Sequence, residues 1–165
     1  MKTFLIITIF TLIFTACSSN NAFDNFKMDK DQELSVSSLQ SAKIVSADGK
    51  VSGIFSGVYL NEVYPDSFNG GEYFFVYVYL KKPTQMYNPK EFVKTGLNLK
   101  LNSNLAVKIE ELPRENKFSH LVSVKSKWNK YYLVAFLHDE SKNLSLLLEN
   151  DPSFSAELKY LKAEQ

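Results

Sequence analysis

From Ala42 to Tyr160, apolar and polar residues alternate with a period of two almost everywhere, and short clusters of Gly, Pro, Asn, Asp and Ser interrupt the alternation at close intervals. A helix buries a stripe with a period near 3.6, whereas a strand sends successive side chains to opposite faces, so this pattern restricts the chain to half-buried strands. Nine are expected: Ala42–Ala47, Val51–Val63, Tyr73–Leu80, Gly96–Leu101, Leu105–Ile109, Phe118–Lys127, Tyr131–His138, Leu144–Glu149 and Phe154–Tyr160. Asp48-Gly49 forms a turn, Pro65 to Gly71 breaks the chain, and Gly53 and Gly57 mark bulges in the long second strand. Asn102-Ser103-Asn104 turns a hairpin: Leu97, Leu99 and Leu101 line one face, and Leu105, Val107 and Ile109 bring the chain back.

Strands buried on one face need two facing sheets or a closed barrel. The chain has 165 residues, 45% of them apolar and 14% aromatic, which suffices for one globular domain. At this size folding buries about 68–70% of the surface of the extended chain, so the core needs no disulfide framework, and a lone cysteine supplies none. Nineteen basic residues against eighteen acidic ones give a net charge of +1, a balance that argues against nucleic-acid binding. The expectation is an all-β, antiparallel sandwich of about nine strands over residues 34–165.

The first sixteen residues read as an export signal: Lys2 precedes a run from Phe4 to Phe14 without a charge. As a helix that run spans roughly 16 Å, about half the hydrocarbon core of a bilayer, which is too short for a permanent span. Its end, Ile13-Phe14-Thr15-Ala16-Cys17, resembles the lipobox of bacterial lipoproteins, with Phe14 where that family usually has Leu. The resemblance implies a diacylglyceryl group on the Cys17 sulfur, cleavage before Cys17 and acylation of the new amino group. Two or three acyl chains make a stable anchor where one is marginal. Loss of residues 1–16 removes Lys2 and no acidic group, so the finished chain is neutral. Ser18 after the cysteine implies the outer membrane in a double-membraned bacterium, where Asp is the usual retention residue.

Residues Ser18 to Glu33 are polar and read as a tether, which fully extended reaches about 50 Å. Asp29, Asp31 and Glu33 alternate as in a calcium loop but lack the Gly of its sharp turn, so they read as a solvated charge run. Beyond the tether, the aromatic-aliphatic strand ending in Lys82-Pro83, then Phe92 before Leu97-Asn98-Leu99, then Tyr131–Phe136 and Leu144–Glu149 resemble the immunoglobulin-like domains of extracytoplasmic bacterial lipoproteins. The sheet-bridging cysteine pair of antibody domains is missing. A lipocalin-like barrel is the alternative architecture.

Residues suited to catalysis are few. Ser119-His120 and His138-Asp139-Glu140 bring hydrolytic residue types together, but no G-x-S-x-G elbow is present, and His120 shares an expected strand face with Phe118, Val122 and Val124. Two histidines and a cysteine claimed by lipid leave no zinc set. Ser52–Gly57 (SGIFSG) lacks the Lys-Ser/Thr of a phosphate cradle. Neither catalytic residues, nor a metal, nor a cofactor is expected.

Two aromatic groups remain as partner-binding candidates. Alternation sends Phe74, Val76, Val78 and Leu80 into the core and Tyr73, Phe75, Tyr77 and Tyr79 to the other side. Tyrosine couples large contact area to a polar tip, so this face suits a protein or a sugar unless the Pro83–Val93 connection, Phe23 or Phe26 covers it. Trp128, flanked by Lys125, Lys127 and Lys130, suits a glycan or polyanion, against the plainer reading of an edge guarded by lysines. The expected protein is thus a lipid-anchored, non-enzymatic binding or assembly module of the bacterial envelope, with membrane and an envelope protein or glycan as partners. The competing expectation is a carrier whose barrel encloses a small apolar ligand.

Overall fold

The aromatic strand lies in the middle of one half of the sheet, and both of its edges are paired. The computed structural model describes residues 34, 37–82, 84–86, 96–122, 126–150 and 154–163. Among them run nine strands: β1 (Leu39–Ser46), β2 (Val51–Tyr59), β3 (Glu72–Leu80), β4 (Asn98–Leu101), β5 (Asn104–Leu105), β6 (Lys108–Leu112), β7 (Asn129–Phe136), β8 (Asn143–Asn150) and β9 (Phe154–Leu161). One four-residue helix, α1 (Leu60–Val63), follows β2. The strands form one sheet in the order β5-β4-β8-β9-β1-β2-β3-β7-β6, antiparallel throughout.

That sheet curls into a half-barrel with sandwich-like halves. β1 and β9 pair only at Val45↔Ser155 and Ser46↔Phe154, a narrow hinge between β5-β4-β8-β9 and β1-β2-β3-β7-β6. The opposite corner is bridged by the chain itself. Leu105 pairs with Lys100 of β4, yet Lys108 pairs with Ala135 of β7, and the amides of Ala106 and Val107 bond in opposite directions, to Leu99 O at 3.1 Å and Ala135 O at 2.8 Å.

The core lies between the halves. Leu99, Leu101, Leu144, Leu146, Leu148, Leu158 and Tyr160 face Phe55, Phe74, Val76, Val134 and Phe136 across it. Burying each such side chain contributes about 1.5–3 kcal/mol. The rings of Tyr59, Phe74 and Tyr160 pack with centroids 5.0–6.1 Å apart and fill one end of this space.

The all-β antiparallel expectation holds, with local corrections. The expected Val51–Val63 strand stops at Tyr59, because Leu60 and Val63 sit three apart and as α1 both bury against the outer face of β3. No strand starts at Phe118: Asn116 Oδ1 accepts the Phe118 amide, Ser119 Oγ accepts the Asn116 amide, and Ser119–Leu121 forms a 3-10 turn. Leu105 and Val107 are exposed while Ala106 is buried, since the exchange of partners from β4 to β7 inverts the faces there. The bulge between β1 and β2 falls at Ser52, the unpaired residue between Val51 and Gly53, whereas Gly57 is in register on both sides.

Candidate functional site

The outer face of β3 is largely covered. Phe75 is fully buried, its ring stacked on Tyr131 at 6.1 Å and 5.4 Å from Phe118, so it offers no surface to a partner. Tyr73 packs on Phe68 at 5.1 Å. Tyr77 is half-buried and hydrogen-bonded to the Ser56 and Ser41 hydroxyls; burial pushes its own hydroxyl above the usual tyrosine range. The cover consists of α1, Tyr64, Phe68 and the Phe118–Val122 turn. The covering segments weighed in the sequence, Pro83–Val93, Phe23 and Phe26, lie outside the described residues except Thr84, Gln85 and Met86.

One end of that face stays open. Ile54, Tyr79 and Asn129 are aligned across β2, β3 and β7, and Trp128 immediately precedes Asn129. Trp128 is 68% exposed and Ile54 48%. Lys127 Nζ sits 5.0 Å from the Trp128 ring centre, and Lys130 pairs with Glu111 at 2.5 Å. Lys125 lies outside the described residues. Tyr79 and Trp128 are therefore neighbours, whereas Tyr73 is six residues away along the strand, about 20 Å, and belongs to the other end.

That other end holds a polar cluster with no sequence signal beyond a glutamate opening an apolar strand. Glu72 is only 1% exposed. Its Oε2 accepts the Tyr59 hydroxyl at 2.5 Å; Oε1 accepts Lys162 Nζ at 2.7 Å and the Asp139 amide at 3.0 Å, and lies 3.1 Å from His138 Nδ1. Lys162 Nζ also donates to the Asp139 carbonyl, and Asp139 Oδ2 accepts Asn102 Nδ2 at 2.9 Å. Burial works to raise the Glu72 carboxyl, but the bonds from Lys162, Tyr59 and Asp139 and the Lys162 charge hold it below the usual carboxylate range. Burial and the adjacent Glu72 push the Tyr59 hydroxyl far up. With both oxygens occupied, Glu72 is a clasp between the halves of the sheet.

The hydrolytic candidates are likewise engaged. Ser119 is buried and its hydroxyl donates to Arg114 O at 3.2 Å. His120 is exposed and bonded through Nε2 to the Tyr64 hydroxyl at 2.6 Å. His138, also exposed, lies between Glu72 and Glu140. Among the described residues no group of three or more His, Cys, Asp or Glu is disposed to hold a metal ion, and no helix is long and apolar enough to cross a membrane. Cys17, the proposed lipid attachment point, and the tether through Glu33 lie outside the described residues. Comparison with family models, curated proteins and solved structures returns no match.

Proposed function

We propose that this chain is a lipoprotein of the bacterial outer membrane, anchored by acyl chains on Cys17, and that its β domain is a non-enzymatic binding or assembly module. The observation that carries the reading is the opposition of two ends of the fold. The N-terminal segment joins at the start of β1, where Ser38 Oγ accepts the Tyr59 amide at 3.1 Å, while Trp128, the most exposed aromatic side chain among the described residues, stands at the opposite strand ends. A tether joined at one end leaves the other free to meet an envelope component. The lipobox sequence supports the anchor, and aromatic rings packed between the halves of the sheet favour a binding module over a carrier, which needs that space open. The engagement of Ser119 and His120 with different partners supports the non-enzymatic reading.

Cys17→Ala tests the anchor. The variant is expected in the aqueous fraction or as an uncleaved precursor of lower mobility; fractionation and mobility identical to the parent contradict the reading.

A further inference from the structure

The Trp128 end carries a second pattern, in its charges. β1, β2, β3 and β7 bring Val45, Val51, Lys81 and Trp128 together there: Val45 pairs with Val51, Lys81 Nζ donates to Val51 O at 2.7 Å, and Tyr79, two residues before Lys81, pairs with Asn129. Val45, Val51 and Ile54 are all exposed large apolar side chains. Lys50 and Lys130 are neutralised by Asp48 and Glu111. Lys81, Lys82 and Lys127 are exposed and have no carboxylate partner among the described residues.

We propose that the Trp128 end docks on an anionic bilayer surface, with Trp128, Val51 and Ile54 at the headgroup boundary and Lys81, Lys82 and Lys127 against lipid phosphates. A projecting indole beside aliphatic side chains, flanked by lysines that have no carboxylate partner among the described residues, is the chemistry of a membrane interface. A glycan site needs converging hydrogen-bonding side chains, and the nearby Ser46 and Ser52 hydroxyls are bonded to one another. The tether permits the geometry: sixteen residues reach about 50 Å, more than the roughly 30 Å of a nine-residue strand, so a lipid on Cys17 and the far end of the domain can meet one membrane. The inference deepens the reading of this end as the binding surface and does not need the anchor.

Trp128 is the sole tryptophan, so its emission reports on this end alone. The purified full chain is mixed with vesicles of phosphatidylcholine, or of phosphatidylcholine with one third phosphatidylglycerol, each with brominated acyl chains. Flotation on pure phosphatidylcholine reads the anchor; a blue shift and quenching of Trp128 that require phosphatidylglycerol and fade with salt read the docking. Each near-surface lysine strengthens binding about fivefold, so Lys82→Glu with Lys127→Glu is expected to weaken the quenching at least about thirtyfold while the melting temperature stays put. Flotation without phosphatidylglycerol-dependent quenching overturns the docking and leaves the anchor standing. Quenching without flotation on phosphatidylcholine does the reverse. Quenching unaffected by the double variant, or binding to alginate in place of vesicles, overturns the proposal.

Discussion

Tyr160 carries a buried hydroxyl that has no hydrogen-bond partner among the described residues. Its oxygen faces the bare α-carbon of Gly57, where an added Cβ would lie 2.8 Å away, and burial pushes the hydroxyl far above the usual tyrosine range. Leaving a buried donor unmet costs about 1–3 kcal/mol. Tyr160→Phe is therefore expected to gain about 1 kcal/mol in urea denaturation, and a loss of similar size would show that the hydroxyl is engaged after all. Glu72 is the opposite case, a buried group with every partner in place. Because its folded pKa lies below the ordinary value of 4.5, its contribution is complete above that pH and drains away as the pH falls through the lower folded value. Glu72→Gln is expected to lose about 3 kcal/mol at neutral pH, leaving Lys162 half-buried and uncompensated. The gap between the variants should close on acidification below pH 4.5, and a constant gap down to pH 3 would contradict the assignment. The side on which Tyr160 falls is legible, because Ala156, Leu158 and Tyr160 alternate with Glu157 and Lys159 along the strand. Glu72 was illegible, because its partners Tyr59, Asp139 and Lys162 come from three distant segments.

Among the elements, β2 shows how one residue type serves two purposes. A Cβ on Gly53 would run into the Tyr79 carbonyl oxygen of β3, whereas at Gly57 the absent side chain admits Tyr160 and Leu158. Gly53→Ala forces a backbone shift and is expected to cost about 1–3 kcal/mol, measured as a lower thermal midpoint; an unchanged midpoint would mean that β2 and β3 are further apart. The alternation of β4, β8 and β9 was plain from the sequence because each packs on one side of a single core. It failed where a second layer intervened. The apolar residues Phe118, Leu121 and Val122 belong to a turn that plugs the outer face of β3, and the pairing of Asn116 with Ser119 was the available signal for that turn. The Leu105–Ile109 return strand failed for a different reason: its residues divide between β4 and β7, and periodicity carries no information about a change of partner.

At the scale of the whole molecule, two features of the sequence divide between opposite ends of the fold. The N-terminal segment joins beside the Glu72 clasp, and Lys81, Lys82 and Lys127, which have no carboxylate partner among the described residues, gather with Trp128 at the other end of a chain whose net charge is only +1. Composition hid this, because the charges cancel in the sum and these lysines come together only after the strands are paired. Of the partner-binding candidates, Trp128 was legible as an exposed ring, with Tyr79 only partly exposed beside it, whereas Phe75 was not recognisable as core, since the rings packed directly on it, Phe118 and Tyr131, lie more than forty positions away. The account rests on acyl chains holding this domain to a bilayer. Intact-mass spectrometry of the membrane-extracted protein tests it most directly: the expected species begins at Cys17 and carries the added mass of a diacylglyceryl group and a fatty acyl chain. A chain that still begins at Met1, or a Cys17 terminus without lipid, would contradict it.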